Sequence, residues 1–158
     1  MRKLISVYFI ALSFLFSCSS DDDHNSMYSG YDIEHDGLFY QLVNTSYDVK
    51  VVSGEYHYSG TINVPSSFMH DGKTYRVVSI AAGTFGGSQG LKEVIISNGI
   101  REMEDMVFAG SSNLTRVKLP DDLISIGHDA FNSCLSLKDI NIPKSLSTIP
   151  QGCFYECI

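Results

Sequence analysis

Basic residues are scarce in this chain. Its 158 residues include 11 Lys and Arg against 18 Asp and Glu, which gives a formal charge of −7. Nucleic acids and anionic lipid surfaces are recognised through clustered Lys and Arg. We therefore expect neither to be held by charge, and we interpret the negative charge as a feature that keeps the protein soluble.

Spacings typical of metal and cofactor sites are missing as well. The five histidines form no zinc or protease pattern such as H-E-x-x-H, and neither a phosphate loop nor a dinucleotide fingerprint occurs. Glu102, Glu104 and Asp105 are close in sequence, but the carboxylate pair of a glycosidase needs an enclosing cleft, which nothing in the sequence predicts. We expect a protein that is not an enzyme and that binds no metal and no cofactor.

An apolar run long enough to span a membrane is also absent, although the chain starts with a shorter one. Arg2 and Lys3 precede thirteen mostly apolar residues, 4–16. A bilayer span needs about 20 such residues, so this run is too short. Residues 1–17 are therefore predicted to be a signal peptide.

The residues at the end of this run indicate a lipid anchor. Leu15-Phe16-Ser17-Cys18 resembles the bacterial lipobox, which implies cleavage before Cys18 and lipid attachment to it. Two or more acyl chains anchor a protein stably. The alternative is an ordinary signal peptide with an incidental cysteine.

Residues 18–30 are predicted to be a flexible acidic linker, because they lack the apolar content to pack. Their cluster Ser19-Ser20-Asp21-Asp22-Asp23 resembles the surface-export signal of Bacteroidetes lipoproteins. A solvated tether is the alternative. With the lipobox, this resemblance implies a protein anchored by lipid in the bacterial outer membrane and exposed on the cell surface.

Residues 31–60 are predicted to form a small β-hairpin cap. Asp36-Gly37 is a hairpin turn signal between the candidate strands 31–35 and 38–43. Apolar and polar residues alternate over 47–51, which predicts a third strand. Such a unit is expected to cover the first core layer of a repeat stack.

A fixed period runs through the rest of the chain, 61–158. It spaces four phenylalanines evenly, Phe85, Phe108, Phe131 and Phe154, and it relates three near-copies, Leu91–Asn113, Leu114–Ser136 and Leu137–Ile158. A constant interval of this size predicts a stacked repeat protein. We expect about four units, each with a short parallel strand and an irregular return arm, and a continuous ladder of phenyl rings.

The first and last units depart from the pattern. Between Thr61 and Phe85 the dipeptide Asp71-Gly72 predicts an extra hairpin. The last unit stops one residue short at Ile158 and has no polar cap. We expect this end to belong to a truncated longer array or to associate with another copy, because uncapped layers invite pairing.

Certain residues recur at fixed places within the units. In Leu114–Ser136 they are Val117-Lys118-Leu119-Pro120, Ile126-Gly127, Ala130-Phe131 and Cys134. Together these residues resemble the BspA-like, treponemal-type leucine-rich repeats of bacterial surface proteins. The resemblance implies a β-rich leucine-rich-repeat solenoid. It also implies adhesion to host matrix proteins or to other bacteria, and it offers no catalytic residues to carry over.

The candidate binding surface is the side of the predicted strands that points away from the core, since repeat proteins commonly bind there. The alternative is an ordinary mixed-charge surface. The residues of the candidate binding surface are Thr61, Asn63, Glu93, Ile95, Arg116, Lys118, Asp139 and Asn141. Tyr56, Tyr58 and Tyr75 near the cap are candidate aromatic anchors, with core packing as the alternative.

Cys134 and Cys157 occupy the same position in successive units. Stacked residues lie about 5 Å apart, which suits the Cα spacing of a disulfide. Export to an oxidising compartment permits such a bond. The alternative is a pair of small buried side chains that fill a repeat position.

Three functions fit these observations. The first is a lipid-anchored surface protein that mediates adhesion through an unidentified protein or glycan ligand. The second is a structural spacer or a subunit of a larger surface assembly. The third, from a different class, is a non-catalytic fragment of an enzyme.

Overall fold

The computed structural model describes residues 30–157. The predicted signal peptide, the lipid-attachment residue Cys18 and the linker up to residue 29 lie outside the described residues. Within the described range, no helix is long and apolar enough to cross a membrane. Residues 30–157 form eleven strands: β1 Ile33–His35, β2 Leu38–Leu42, β3 Asp48–Val52, β4 Ser59–Val64, β5 Ser67–His70, β6 Lys73–Ile80, β7 Gly90–Ile96, β8 Glu102–Met103, β9 Arg116–Lys118, β10 Ser125–Ile126 and β11 Asp139–Ile140.

One sheet contains one strand from each unit. Its order is β11-β9-β7-β4, and all of its pairings are parallel. Glu93 pairs with Arg116, which pairs with Asp139, so equivalent positions of successive units lie side by side, as the sequence period predicts. Val94 and Val117, which follow Glu93 and Arg116, are buried in the core. Alternate residues therefore face solvent on the other side of this sheet.

The second sheet is built from the return arms and the cap. Its order is β1-β2-β3-β6-β8-β10, with β5 paired to β6. The Asp71-Gly72 hairpin predicted in the first unit is confirmed as β5 and β6. Both sheets contribute to one buried apolar cluster. These findings confirm the predicted leucine-rich-repeat solenoid.

The phenylalanines stack through that core. Ring centroids lie 5.2 Å apart for Phe85 and Phe108, 5.1 Å for Phe108 and Phe131, and 5.2 Å for Phe131 and Phe154. Their planes are within 10° of parallel. The predicted ladder is confirmed. It has a further member at its start, since the buried ring of Tyr58 packs on Phe85 at 4.9 Å.

Each return arm contains a turn, here called the arm turn, that surrounds its phenylalanine. The first arm turn covers residues 82–87 and the second covers 105–110. Amides of each arm turn donate to carbonyls of the next; for example, Phe85 N donates to Val107 O at 2.8 Å. The second residue of each arm turn is left-handed; it is Gly83 in the first and Met106 in the second, with φ of 65° and 56°.

The cap continues the second sheet. Asp36 and Gly37 have φ of 50° and 75°, as a type I′ turn requires, and the hairpin that they close is confirmed. The third predicted strand is β3, which pairs antiparallel with β2 and parallel with β6. The cap strands therefore lie beside the first return arm, and β4 forms the edge of the four-stranded sheet.

Candidate binding surface

We call the solvent side of the four-stranded sheet the strand face. Strand pairing places two rows of its predicted residues side by side. One row contains Thr61, Glu93, Arg116 and Asp139, and the other contains Asn63, Ile95 and Lys118. These residues, which the sequence singled out, therefore lie on one shared surface.

The first row carries a charge triplet. Arg116 Nε lies 3.5 Å from Glu93 Oε1 and 3.1 Å from Asp139 Oδ2. All three side chains keep contact with solvent, so the ion pairs add little stability. Their effect is to hold Arg116 between two acids and to leave the triplet with an excess of negative charge.

Within residues 30–157, the charged side chain of the second row is not engaged in internal ion pairs. Lys118 is exposed and forms no ion pair in the described part of the chain. Ile95 is only partly buried beside it. The charge of Lys118 is therefore not neutralised within the described part of the chain, unlike that of Arg116.

Asn141 has a structural role that the sequence did not predict. Its Oδ1 accepts from Leu119 N at 2.8 Å, and its Nδ2 donates to Leu119 O at 3.0 Å. The side chain therefore replaces strand pairing just after β11 ends. Its amide is engaged with the preceding unit and is less available to a partner than the other residues of the set.

The disulfide considered for Cys134 and Cys157 is not formed in this structure, in which both are free thiols. Cys134 Sγ donates to Phe108 O at 3.2 Å, and Cys157 Sγ donates to Phe131 O at 3.1 Å. Each thiol binds a backbone carbonyl of the preceding unit instead of the other sulfur. Ser111 occupies the same position one unit earlier and donates to Phe85 O at 2.7 Å.

Two of the three candidate aromatic anchors belong to the core. Tyr58 and Tyr75 are 4% and 8% exposed, whereas Tyr56 is 54% exposed. Tyr75 stacks on Phe68 at 5.4 Å. Only Tyr56 is therefore available as an anchor.

Residues 86–90 spell G-x-S-x-G, a nucleophile pattern that needs an exposed serine at a turn from strand to helix. Here Ser88 is 1% exposed and precedes a strand, β7. Its Oγ accepts from Tyr58 N at 3.3 Å. Ser88 lies one repeat before Ser111 and fills the same buried position, so this match has a structural explanation.

Similarity to known proteins covers most of the repeat region. Residues 54–158 match the family model of the BspA type leucine rich repeat region in 6 copies. No curated protein matches the chain.

Three solved structures resemble this one. A leucine-rich repeat protein from Bacteroides ovatus is 29% identical with a TM-score of 0.75, over 80% of this chain and 33% of that chain. The T. pallidum leucine-rich repeat protein is 31% identical with a TM-score of 0.59, over 69% and 49%. A leucine-rich repeat protein from Bacteroides capillosus, 23% identical with a TM-score of 0.67 over 75% and 87%, shares the fold. The chain thus spans about a third and about half of the first two relatives.

Proposed function

This chain belongs to the BspA-type leucine-rich repeat family, and we propose that it is a non-enzymatic, lipid-anchored bacterial surface protein whose strand face binds a protein or glycan partner. The observation that carries the binding proposal is the strand face itself. Four parallel strands place rows of polar and charged side chains on one exposed surface. An extended surface of this kind suits a macromolecule better than a small substrate.

Lys118 and Ile95 form the part of the strand face on which the proposal depends most. Lys118 has no internal ion-pair partner in the described range, so a partner carboxylate can pair with it without breaking an existing ion pair. The triplet around Arg116 is already paired. We expect it to set specificity and orientation more than affinity.

A binding screen tests this proposal. The purified chain is applied to immobilised host matrix proteins, glycans and bacterial surface proteins, and the affinity for each positive partner is measured. Lys118→Glu is expected to weaken binding at least about tenfold, which is about 1.4 kcal/mol. Lys73→Glu is the matched control, because Lys73 lies at the hairpin end of β6, outside the four-stranded sheet.

Two results of the screen would count against adhesion. Absence of any partner would favour the spacer or assembly-subunit alternative, which the internally paired triplet around Arg116 supports. Equal losses for Lys118→Glu and Lys73→Glu would show that net charge, and not the strand face, governs the interaction.

The anchor has a separate test. We expect Cys18→Ala to abolish incorporation of labelled fatty acid and to release the protein from the outer-membrane fraction. Protease treatment of intact cells should degrade the anchored wild-type protein if it faces outward. Unchanged labelling in the Cys18→Ala variant would refute lipid attachment at this residue.

A further inference from the structure

The loop between β3 and β4 leaves a cleft against the first arm turn, here called the cap cleft. Its volume is about 270 Å³. The residues that line it are Ser53, Gly54, Glu55, Tyr56 and His57 of the loop and Gly83, Thr84, Gly86 and Ser88 beside it. Small-molecule pockets usually have about 300–1,000 Å³, so this cleft is closer in size to one long side chain.

The floor of the cap cleft has carbonyl oxygens without donors. In the second arm turn, the carbonyls of Asp105, Val107 and Ala109 accept from amides of the first arm turn. One repeat earlier, the equivalent carbonyls of the first arm turn are those of Ala82, Thr84 and Gly86. Among residues 30–157, no backbone or side-chain donor reaches any of these three oxygens. Two of the three residues line the cleft.

Tyr56 supplies the aromatic part of the cleft wall. Tyr56 lines the cleft and is 54% exposed. Its ring packs on Phe39 at 5.3 Å, and Tyr31 packs on the same Phe39 at 4.5 Å. Tyr56 therefore packs on Phe39 while about half of its surface stays exposed.

Glu55 is the one carboxylate that lines the cleft. Desolvation, followed by the negative charges of Glu55 and Glu34, raises the pKa of Tyr31. Desolvation and Glu34 also raise the pKa of Tyr56. Neither glutamate forms an ion pair within the described range. His57 is the only lining residue with a basic side chain.

Carbonyl oxygens, carboxylates and aromatic faces all attract positive charge. We propose that the cap cleft binds the cationic side chain of a lysine or arginine from a partner polypeptide. The ammonium or guanidinium group donates to the open carbonyls of the first arm turn and to Glu55, while the aliphatic stem lies against Tyr56. This site is separate from the strand face and does not depend on the function proposed for it.

The test is an NMR titration of the purified chain with a short Gly-Ser peptide that contains one arginine. The control peptide has glutamine in place of arginine. We expect the arginine peptide to shift the amide signals of residues 53–57 and 83–88 at concentrations where the glutamine peptide does not. Raising the salt concentration from about 0.05 M to about 0.5 M should weaken the effect, since the rim is exposed to solvent.

Matched variants separate the cleft from general charge attraction. Glu55→Gln and Tyr56→Ala should each weaken the binding of the arginine peptide about two- to fivefold, the range expected for charge and aromatic contacts at an exposed site. Glu102→Gln removes the same charge from β8 and should leave affinity unchanged. Glu55 and Tyr56 line the cleft and Glu102 does not, and all three side chains are exposed, so the variants are expected to fold.

Three outcomes would overturn the proposal. The first is equal shifts from the arginine and glutamine peptides. The second is equal loss of affinity in Glu55→Gln and Glu102→Gln, which would indicate net charge alone. The third is a neutral oligosaccharide that shifts the same signals while the arginine peptide does not, which would identify the cleft as a glycan site.

Discussion

The ring ladder makes a quantitative prediction at Phe108. This side chain is fully buried, and its ring stacks on Phe85 at 5.2 Å and on Phe131 at 5.1 Å. Replacing a buried Phe by Ala costs about 3–5 kcal/mol. Because Phe108→Ala removes two ring contacts, each worth about 0.5–1.5 kcal/mol beyond area burial, we expect a loss in the upper half of that range.

A loss of this size is a large part of the stability of a domain, which is about 5–15 kcal/mol. The assay is urea denaturation of the wild-type and Phe108→Ala proteins. Unfolding is monitored by circular dichroism and by tyrosine fluorescence, since the chain has no tryptophan. Two probes are needed because repeat arrays can unfold in more than one step. Coincident transitions would justify a single free energy of unfolding.

Phe154→Ala is the matched comparison. Phe154 is partly buried and stacks on one described ring, Phe131 at 5.2 Å. We expect its loss to cost about half as much, roughly 2 kcal/mol. The stacked-core reasoning is refuted if Phe108→Ala costs less than about 1.5 kcal/mol, or if the two variants are equally destabilised.

Three further predictions concern the packing between units. An added Cβ at Gly127 would clash with the backbone of Glu104 in the preceding unit, so Gly127→Ala should lower the free energy of unfolding by about 1–3 kcal/mol. An added Cβ at Gly30 has nothing within 4 Å, so Gly30→Ala should leave the free energy of unfolding unchanged. Ser111→Ala leaves the buried carbonyl of Phe85 without its donor and should lower the free energy of unfolding by about 1–3 kcal/mol. Ser111→Cys should lower it less, because Cys134 makes the equivalent hydrogen bond one unit later. Burial raises the pKa of Cys134 to about 12, so at pH 8 its thiol should react with a disulfide reagent only when the protein unfolds. The thiol of Cys157 is only partly buried and should react before that of Cys134. If neither thiol reacts in denatured, unreduced protein, the two are bridged.

The period predicted most of the fold because it constrains packing directly. Phe85 and Phe108 are equivalent residues of successive units. Because the interval between equivalent phenylalanines is constant, each unit stacks its phenylalanine on that of the unit before it, and this stacking sets the register of the strands. The dipeptides Asp36-Gly37 and Asp71-Gly72 predicted both hairpins for a local reason, since each supplies two residues of positive φ.

Contacts between units were harder to predict, because the repeat period does not determine which group of the neighbouring unit a side chain contacts. Cys134 and Cys157 are in register, yet each thiol bonds to a carbonyl of the preceding unit. Asn141 lies on the predicted face, yet its amide pairs with Leu119 where strand pairing stops. The position of Ser111 offered a clue, since a hydroxyl at the cysteine position indicates a hydrogen-bonding role for that position.

The cap cleft follows from a property of the arm turns that no single residue reveals. The arm-turn amides of Phe85, Phe108 and Phe131 all donate toward the following unit, at 2.8 Å each. The first arm turn therefore presents only carbonyl oxygens toward the cap, whatever its side chains are. This backbone contribution remains in every rim variant. Glu55→Gln should consequently weaken, but not abolish, the binding of an arginine side chain, and residual shifts should persist at the amides of Thr84 and Gly86 in that variant.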